Sequence, residues 1–251
     1  MSSIIALSCA VGMLALPAIL NIICYPVSIT ASRAISEYIV KVLAHRLFAI
    51  FSCYKHFCFK GYDDHRRELP DQFFLISNHQ SLLDIPLYMN FFRDRDLRFV
   101  AKKELGRHIP VVSEMLRAQQ HCLIARTARP VTAMRTLEKF GAQVRTQHQI
   151  PVLFPEGTRS RDGNVRKFYE SGFRKLVAVT RLPVVVCALD GGWQMDSLGA
   201  VMRHLSHGTY RVKIVKIYPA PQTRAEELHI LSEGSALITA QLTAWRTGQE
   251  A

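Results

Sequence analysis

A chain of 251 residues is long enough for one α/β domain with a full core plus a further apolar segment. Its formal charge of +12 and isoelectric point near 9.7 imply an anionic partner surface. The basic residues are scattered and no zinc-finger, RNP or Gly-x-x-Gly module accompanies them, which sets nucleic acid aside in favour of anionic headgroups and a phosphorylated substrate.

Residues 1–32 carry no charged side chain, a stretch longer than the ~20 apolar residues that cross a bilayer core. Pro17 and Pro26 interrupt a single helix, so the segment reads either as a bent span or as a membrane-dipping helical hairpin. The absence of a basic start argues against a cleaved signal peptide. Arg33, Lys41 and Arg46 follow, and the positive-inside bias places the rest of the chain on the cytoplasmic face. From Ser32 to about Lys60 the pattern predicts an amphipathic basic helix that includes Ile35, Ile39, Val42, Leu43, Arg46 and Phe57. Such a helix suits a headgroup layer, although core packing also accounts for its apolar stripe. Residues 1–60 are therefore assigned to a membrane anchor with an amphipathic helical segment, and residues 61–251 to one catalytic domain.

In that domain strands are predicted over 72–77, 97–101, 121–125, 150–154, 183–189 and 210–218. Helices are predicted over 81–92, 109–118, 130–147, 172–180 and 225–246, with Pro130 at a first helical position. The alternation argues for an α/β fold, a mixed sheet flanked by helices. The long alternating run from Tyr210 to Ile217 has one polar side and reads as an edge strand.

Two short polar signatures interrupt this pattern. Asn78-His79-Gln80-Ser81-Leu82-Leu83-Asp84 directly follows the apolar run Phe73-Phe74-Leu75-Ile76. A strand-to-helix junction lies at the carboxyl edge of the sheet, where ligands of open α/β sheets bind. A neutral imidazole there can take a proton from an alcohol, and a carboxylate on its other ring nitrogen fixes the tautomer. Asp84 is the nearest acid. Five positions on, it meets His79 only if the histidine lies before the helix and folds back over its first turn. A capping histidine beside a solvated first-turn acid is the alternative. Ser81 invites a hydrolase reading, but no Gly-x-Ser-x-Gly elbow is present. The second signature, Phe154-Pro155-Glu156-Gly157-Thr158-Arg159-Ser160, follows the run Ile150–Leu153. Gly157 permits a tight turn and close approach of a ligand. Arg159 can hold a phosphate through two parallel hydrogen bonds. Glu156 can pair with an arginine or a substrate hydroxyl, and an exposed ion pair at a strand-ending turn is the bland alternative.

His-x4-Asp followed by Phe-Pro-Glu-Gly-Thr-Arg resembles the glycerolipid acyltransferases, most closely the bacterial 1-acylglycerol-3-phosphate acyltransferases, over roughly residues 70–220. The resemblance implies that His79 and Asp84 are catalytic. It also implies that the block Glu156, Gly157, Thr158 and Arg159 binds the acceptor's phosphate, with Gly157 and Arg159 closest to it. Lys102-Lys103-Glu104-Leu105-Gly106 and Ile124-Ala125-Arg126 are similar to a further family segment, making Lys103 and Arg126 candidate second phosphate ligands. Ser113, Gln120 and the segment Phe168–Gly172 depart from the usual pattern, which touches acyl-chain and acceptor selection more than the reaction.

The implied activity is transfer of a fatty acyl group from acyl-CoA or acyl carrier protein to the free hydroxyl of a lysophospholipid acceptor, at a membrane, giving phosphatidic acid. No cofactor and no metal are expected: the six cysteines lack a Cys-x2-Cys pair and the histidines lack His-x3-His spacing. Backbone amides near residues 79–81 are candidate donors to the thioester oxyanion. The same chemistry on glycerol-3-phosphate or lyso-ornithine lipid is one rival. The other is a non-catalytic membrane protein that binds anionic lipid.

Overall fold

The computed structural model describes residues 2–62, 64–107, 112–125, 127–195 and 208–249. Its strands are β1 (Cys58–Tyr62), β2 (Phe74–Ser77), β3 (Leu97–Lys102), β4 (Cys122–Ile124), β5 (Ile150–Leu153), β6 (Val184–Asp190) and β7 (Thr209–Tyr218). They form one seven-stranded sheet in the order β1-β7-β6-β2-β5-β3-β4. Strands β6, β2, β5, β3 and β4 run parallel to one another, while β7 is antiparallel to β6 and β1 parallel to β7. The mixed α/β architecture expected from the alternation is the one observed.

The helices are α1 (Ser2–Val27), α2 (Ile29–Tyr38), α3 (Ala44–Lys55), α4 (Asp84–Phe91), α5 (Val112–Ala118), α6 (Pro130–Thr146), α7 (Glu170–Thr180) and α8 (Arg224–Thr247). Alternation along the strands sorts the core into two layers. Leu75, Phe99, Val152, Val185, Cys187 and Leu189 face α4 on one side. Phe74, Ile76, Leu153, Val184, Val186 and Ala188 face α6, α7 and α8 on the other. The central strands are buried on both faces, which explains their nearly continuous apolar runs.

Three sequence expectations need correction. The amphipathic helix predicted to reach Lys60 is broken: a π-helical turn at Ile39–Leu43 separates α2 from α3, and α3 ends at Lys55. His56 adopts a positive φ of 51°, the Ser52 hydroxyl donates to Phe57 O, and Cys58–Tyr62 pairs with β7. A partner so distant in sequence is invisible to local pattern. Second, Ile39 and Leu43 of the stripe are buried and Phe57 joins the core, so of the two readings of the stripe, headgroup layer or core packing, these residues take the second. Third, β7 lies between β6 and β1, which pairs with it over Thr209–Lys213; its alternation reflects one face packed on the core and the other left half-buried.

At the N-terminus, Ser28 caps α2 by accepting from Ala31 N, and α1 turns back to pack against α2, α3 and α5. Asn21 is completely buried between α1 and α2. Its Nδ2 donates to Ser36 Oγ at 2.9 Å and its Oδ1 accepts from Ser32 Oγ at 2.5 Å. The outer face of α1 exposes Leu16, Ile19, Ile23 and Val27. Among the described residues no helix is long and apolar enough to cross a membrane.

Candidate active site

The carboxyl ends of β2, β5 and β3 lie side by side, so the segments that follow them meet at one edge of the sheet. Helix α4 begins at Asp84, three residues later than its apolar pattern suggested, and His79 sits in the preceding loop. That shift permits the contact: His79 Nδ1 lies 2.6 Å from Asp84 Oδ2. Asp84 is fully buried, so it is not the solvated first-turn acid of the alternative reading. An ionised carboxylate only accepts, which assigns the proton to Nδ1 and leaves Nε2 as the basic nitrogen.

Asp84 Oδ2 also accepts from Gln80 N at 2.7 Å and Ser81 N at 3.0 Å, folding the loop around the carboxylate. The His79 amide is taken as well, donating to Glu156 Oε1 at 2.9 Å. The amides of residues 79–81 are therefore spent on two buried carboxylates and are not oxyanion donors, contrary to the sequence expectation. Ser81 is committed to scaffold: its hydroxyl donates to Met195 O.

The two signatures form one structural unit. The Phe154 ring stacks on the His79 imidazole with centroids 4.1 Å apart and planes at 11°. Glu156 holds the His79 N–H, and Ser160 N donates to His79 O at 2.7 Å, so the second signature grips both sides of the histidine backbone. Glu156 Oε2 accepts from Arg166 N at 3.2 Å. Both its oxygens thus face backbone donors inside the protein, and burial raises its carboxyl to about 7. A buried carboxylate so engaged is a brace for the loop and not a ligand for a phosphate, which corrects the role expected for Glu156.

Gly157 adopts φ +65°, and a Cβ built on it would meet nothing within 4 Å, so the space above it is open. Thr158 and Arg159 are half-buried beside it. Lys103 is exposed and starts a short 3₁₀ turn, Lys103–Gly106, directly after β3 at the same edge. Arg126 lies outside the described residues. Among the described residues no group of three or more His, Cys, Asp or Glu is arranged to hold a metal ion.

Sequence reasoning missed the outer supports. Asn78 prolongs the β2–β6 ladder with its side chain, accepting from Leu189 N at 3.0 Å and donating to Leu189 O at 2.8 Å. Gln80 is buried; its Nε2 donates to Asp190 Oδ1 and its Oε1 accepts from Gly192 N. Tyr210, on β7, donates its hydroxyl to Asp84 Oδ1. The one local clue was a tyrosine at an inward position of an alternating strand, since a buried phenol requires a partner.

A family model described as "Acyltransferase" matches residues 58–190. The 1-acyl-sn-glycerol-3-phosphate acyltransferase of Cocos nucifera is 32% identical over 126 residues, which cover 49% of this chain and 40% of that protein. The protein of the same name from Limnanthes douglasii is 31% identical over 144 residues, 57% of this chain and 46% of its own length. The chain thus spans less than half the length of these relatives. The crystal structure of the 1-acyl-sn-glycerophosphate (LPA) acyltransferase PlsC from Thermotoga maritima shares the fold, with a TM-score of 0.64 over 98% of both chains at 21% identity. The family model covers more than half of the sequence, including both signatures and the edge of the sheet that unites them, and the chain belongs to the acyltransferase family.

Proposed function

We propose that this protein transfers a fatty acyl group from a thioester, acyl-CoA or acyl carrier protein, to the free hydroxyl of 1-acyl-sn-glycerol-3-phosphate, forming phosphatidic acid. The observation that carries the reading is the buried Asp84 bound to His79 Nδ1, in a loop whose backbone is gripped by the Glu156–Ser160 segment. Nε2 of His79 accepts the hydroxyl proton as the oxygen attacks the thioester carbonyl. Collapse of the tetrahedral intermediate breaks the C–S bond, and the proton passes from His79 to the departing thiolate. Transfer is direct, with no acyl-enzyme and no cofactor. Gly157, Thr158 and Arg159 hold the acceptor phosphate, with Lys103 and Arg126 as further cations, so that binding positions the hydroxyl at Nε2. The names of the relatives support this acceptor.

The exposed apolar side chains Leu16, Ile19, Ile23 and Val27 seat α1 on the bilayer. A cytoplasmic face for the catalytic domain belongs to the same reading, supported by the basic residues Arg33, Lys41 and Arg46 that follow the uncharged segment and suit an anionic leaflet. The test is acyl transfer by detergent-purified protein from a long-chain acyl-CoA to lysophosphatidate, wild type beside His79→Ala. Wild type is expected to be active and the variant to lose about 10²–10⁴-fold in rate. Full activity in the variant refutes the base assignment. Activity with glycerol-3-phosphate in place of lysophosphatidate reassigns the acceptor.

A further inference from the structure

Asp84 is completely buried, and its two oxygens are served from different parts of the fold. Oδ2 takes His79 Nδ1 and the amides of Gln80 and Ser81, all from the same loop. Oδ1 takes the hydroxyl of Tyr210, which arrives from β7, the strand that runs against β6. Tyr210 is itself fully buried. Burial, and after it the charge of Asp84, pushes its phenol well above the ordinary value, so the group stays protonated and can only donate to the carboxylate. Room for it is provided by Gly192, where a Cβ would collide with the Tyr210 hydroxyl and crowd Asp84 Oδ1 at 3.1 Å.

We propose that Tyr210 is a positioning residue for acyl transfer: its hydrogen bond fixes the Asp84 carboxylate opposite His79 and sets how strongly that carboxylate draws on the imidazole proton. The proposal rests on His79 being the base. A donor on Oδ1 withdraws charge from the carboxylate and leaves it less basic toward Nδ1–H. Without the phenol, one oxygen of a buried anion loses its donor, and the full charge falls on the His79 side. The imidazolium is then held more tightly and the neutral base is available only at higher pH. The other groups around the pair remain in place in such a variant. These are Glu156 from the loop after β5, Tyr88 from α4, and the Asp190–Arg246 pair that reaches the loop through Gln80.

The experiment measures kcat and KM for acyl transfer against pH in the full-length, detergent-purified protein, for wild type, His79→Ala and Tyr210→Phe, with circular dichroism confirming the fold of each. Tyr210→Phe is expected to lower kcat roughly tenfold with KM for the acceptor unchanged. The acidic limb of its kcat/KM profile is expected to move up by about 0.5–1 pH unit. Gly192→Ala, which keeps the phenol but drives it away from Asp84, is the second probe and is expected to displace the limb in the same direction. A wild-type limb in either folded variant, whatever the rate, overturns the proposal while leaving the base intact. Full activity in His79→Ala overturns the base itself, and the role of Tyr210 with it.

Discussion

At Gly157 the cost of a side chain to the protein and to a ligand can be separated. Its φ of +65° penalises any Cβ, by about 1–2 kcal/mol, yet the space around that Cβ is empty of protein atoms. Gly157→Ala is therefore expected to unfold only slightly earlier than wild type. If a phosphate approaches this backbone, the same methyl group raises the acceptor KM at least about tenfold, a loss that strain of this size at a folded position does not produce. Steady-state kinetics beside a melting curve decide the matter, and an unchanged KM removes Gly157 from the acceptor site. Two buried groups make a second residue-scale prediction. His121 accepts from Phe99 N through Nδ1, and burial followed by Arg98 lowers its imidazole to about 3. Its folded value lies below the unfolded one of about 6.5, so its contribution is complete above that pH and is lost as pH falls toward 3. Glu156 has the opposite sign: raised from 4.5 to about 7 by burial, it contributes below its unfolded value and loses that contribution as pH rises through 7. In denaturant titrations, the stability gap between wild type and His121→Gln is expected to shrink as pH falls from about 7 to 4.5. The gap to Glu156→Gln is expected to shrink as pH rises over the same window. A gap independent of pH in either pair contradicts the assigned sign.

Elements differ in how far their own sequence specifies them. The predicted strand over 183–189 became Val184–Asp190 and the predicted helix over 130–147 became Pro130–Thr146, because each carries its periodicity and its end signals within the segment. Strand β1 carries neither: Cys58–Tyr62 is short and becomes a strand because β7 is there to pair with it. The start of α4 was misjudged for a related reason. Gln80 and Ser81 have amides free to begin a helix, but the buried Asp84 carboxylate captures both. The same division runs through the site. The His79–Asp84 pair and the turn at Gly157 were legible because the groups are close in sequence, whereas Tyr210 and the bracing role of Glu156 follow only from the sheet order. The N-terminal elements are joined by a device that a hydropathy pattern does not register, the buried Asn21–Ser32–Ser36 cluster. Asn21→Ala strips two buried hydroxyls of their partner, at a cost of about 1–3 kcal/mol, whereas replacing all three by Ala approaches neutrality. Limited proteolysis at the Val27–Ile29 junction is expected to accelerate in the single variant and return toward the wild-type rate in the triple one. Equal rates in all three proteins exclude the cluster as a staple.

At the scale of the whole molecule, the last turn of the chain reaches the first signature. Arg246 of α8 donates from Nη2 to Asp190 Oδ1 and to Gly163 O, each at 2.7 Å, and from Nε to Asp190 Oδ2 at 3.1 Å. Asp190 ends β6 and is nearly buried; it also receives Gln80 Nε2 at 3.1 Å, and Gln80 directly follows His79. The path runs from the C-terminal helix through one carboxylate to the loop of the base, with Gly163 tying in the segment after Arg159. Arg246 is about one-third exposed, so solvent screens part of its charge. What matters more is the anion left behind: without the guanidinium, Asp190 keeps only the amide of Gln80 among these partners, and an uncompensated buried charge costs more than the pair contributes. Arg246→Gln is accordingly expected to destabilise the protein by about 1–3 kcal/mol and to lower kcat severalfold through the loop. Asp190→Asn in the same chain removes the stranded charge and is expected to restore part of both. A double-mutant cycle read in stability and in kcat tests this, with a coupling of about 0.5–3 kcal/mol expected between the two sites. Strict additivity in both readouts shows that α8 packs against the sheet without bracing the site. Coupling confined to stability shows a tie that strengthens the fold and leaves the position of His79 to Asp84 and the Glu156–Ser160 segment.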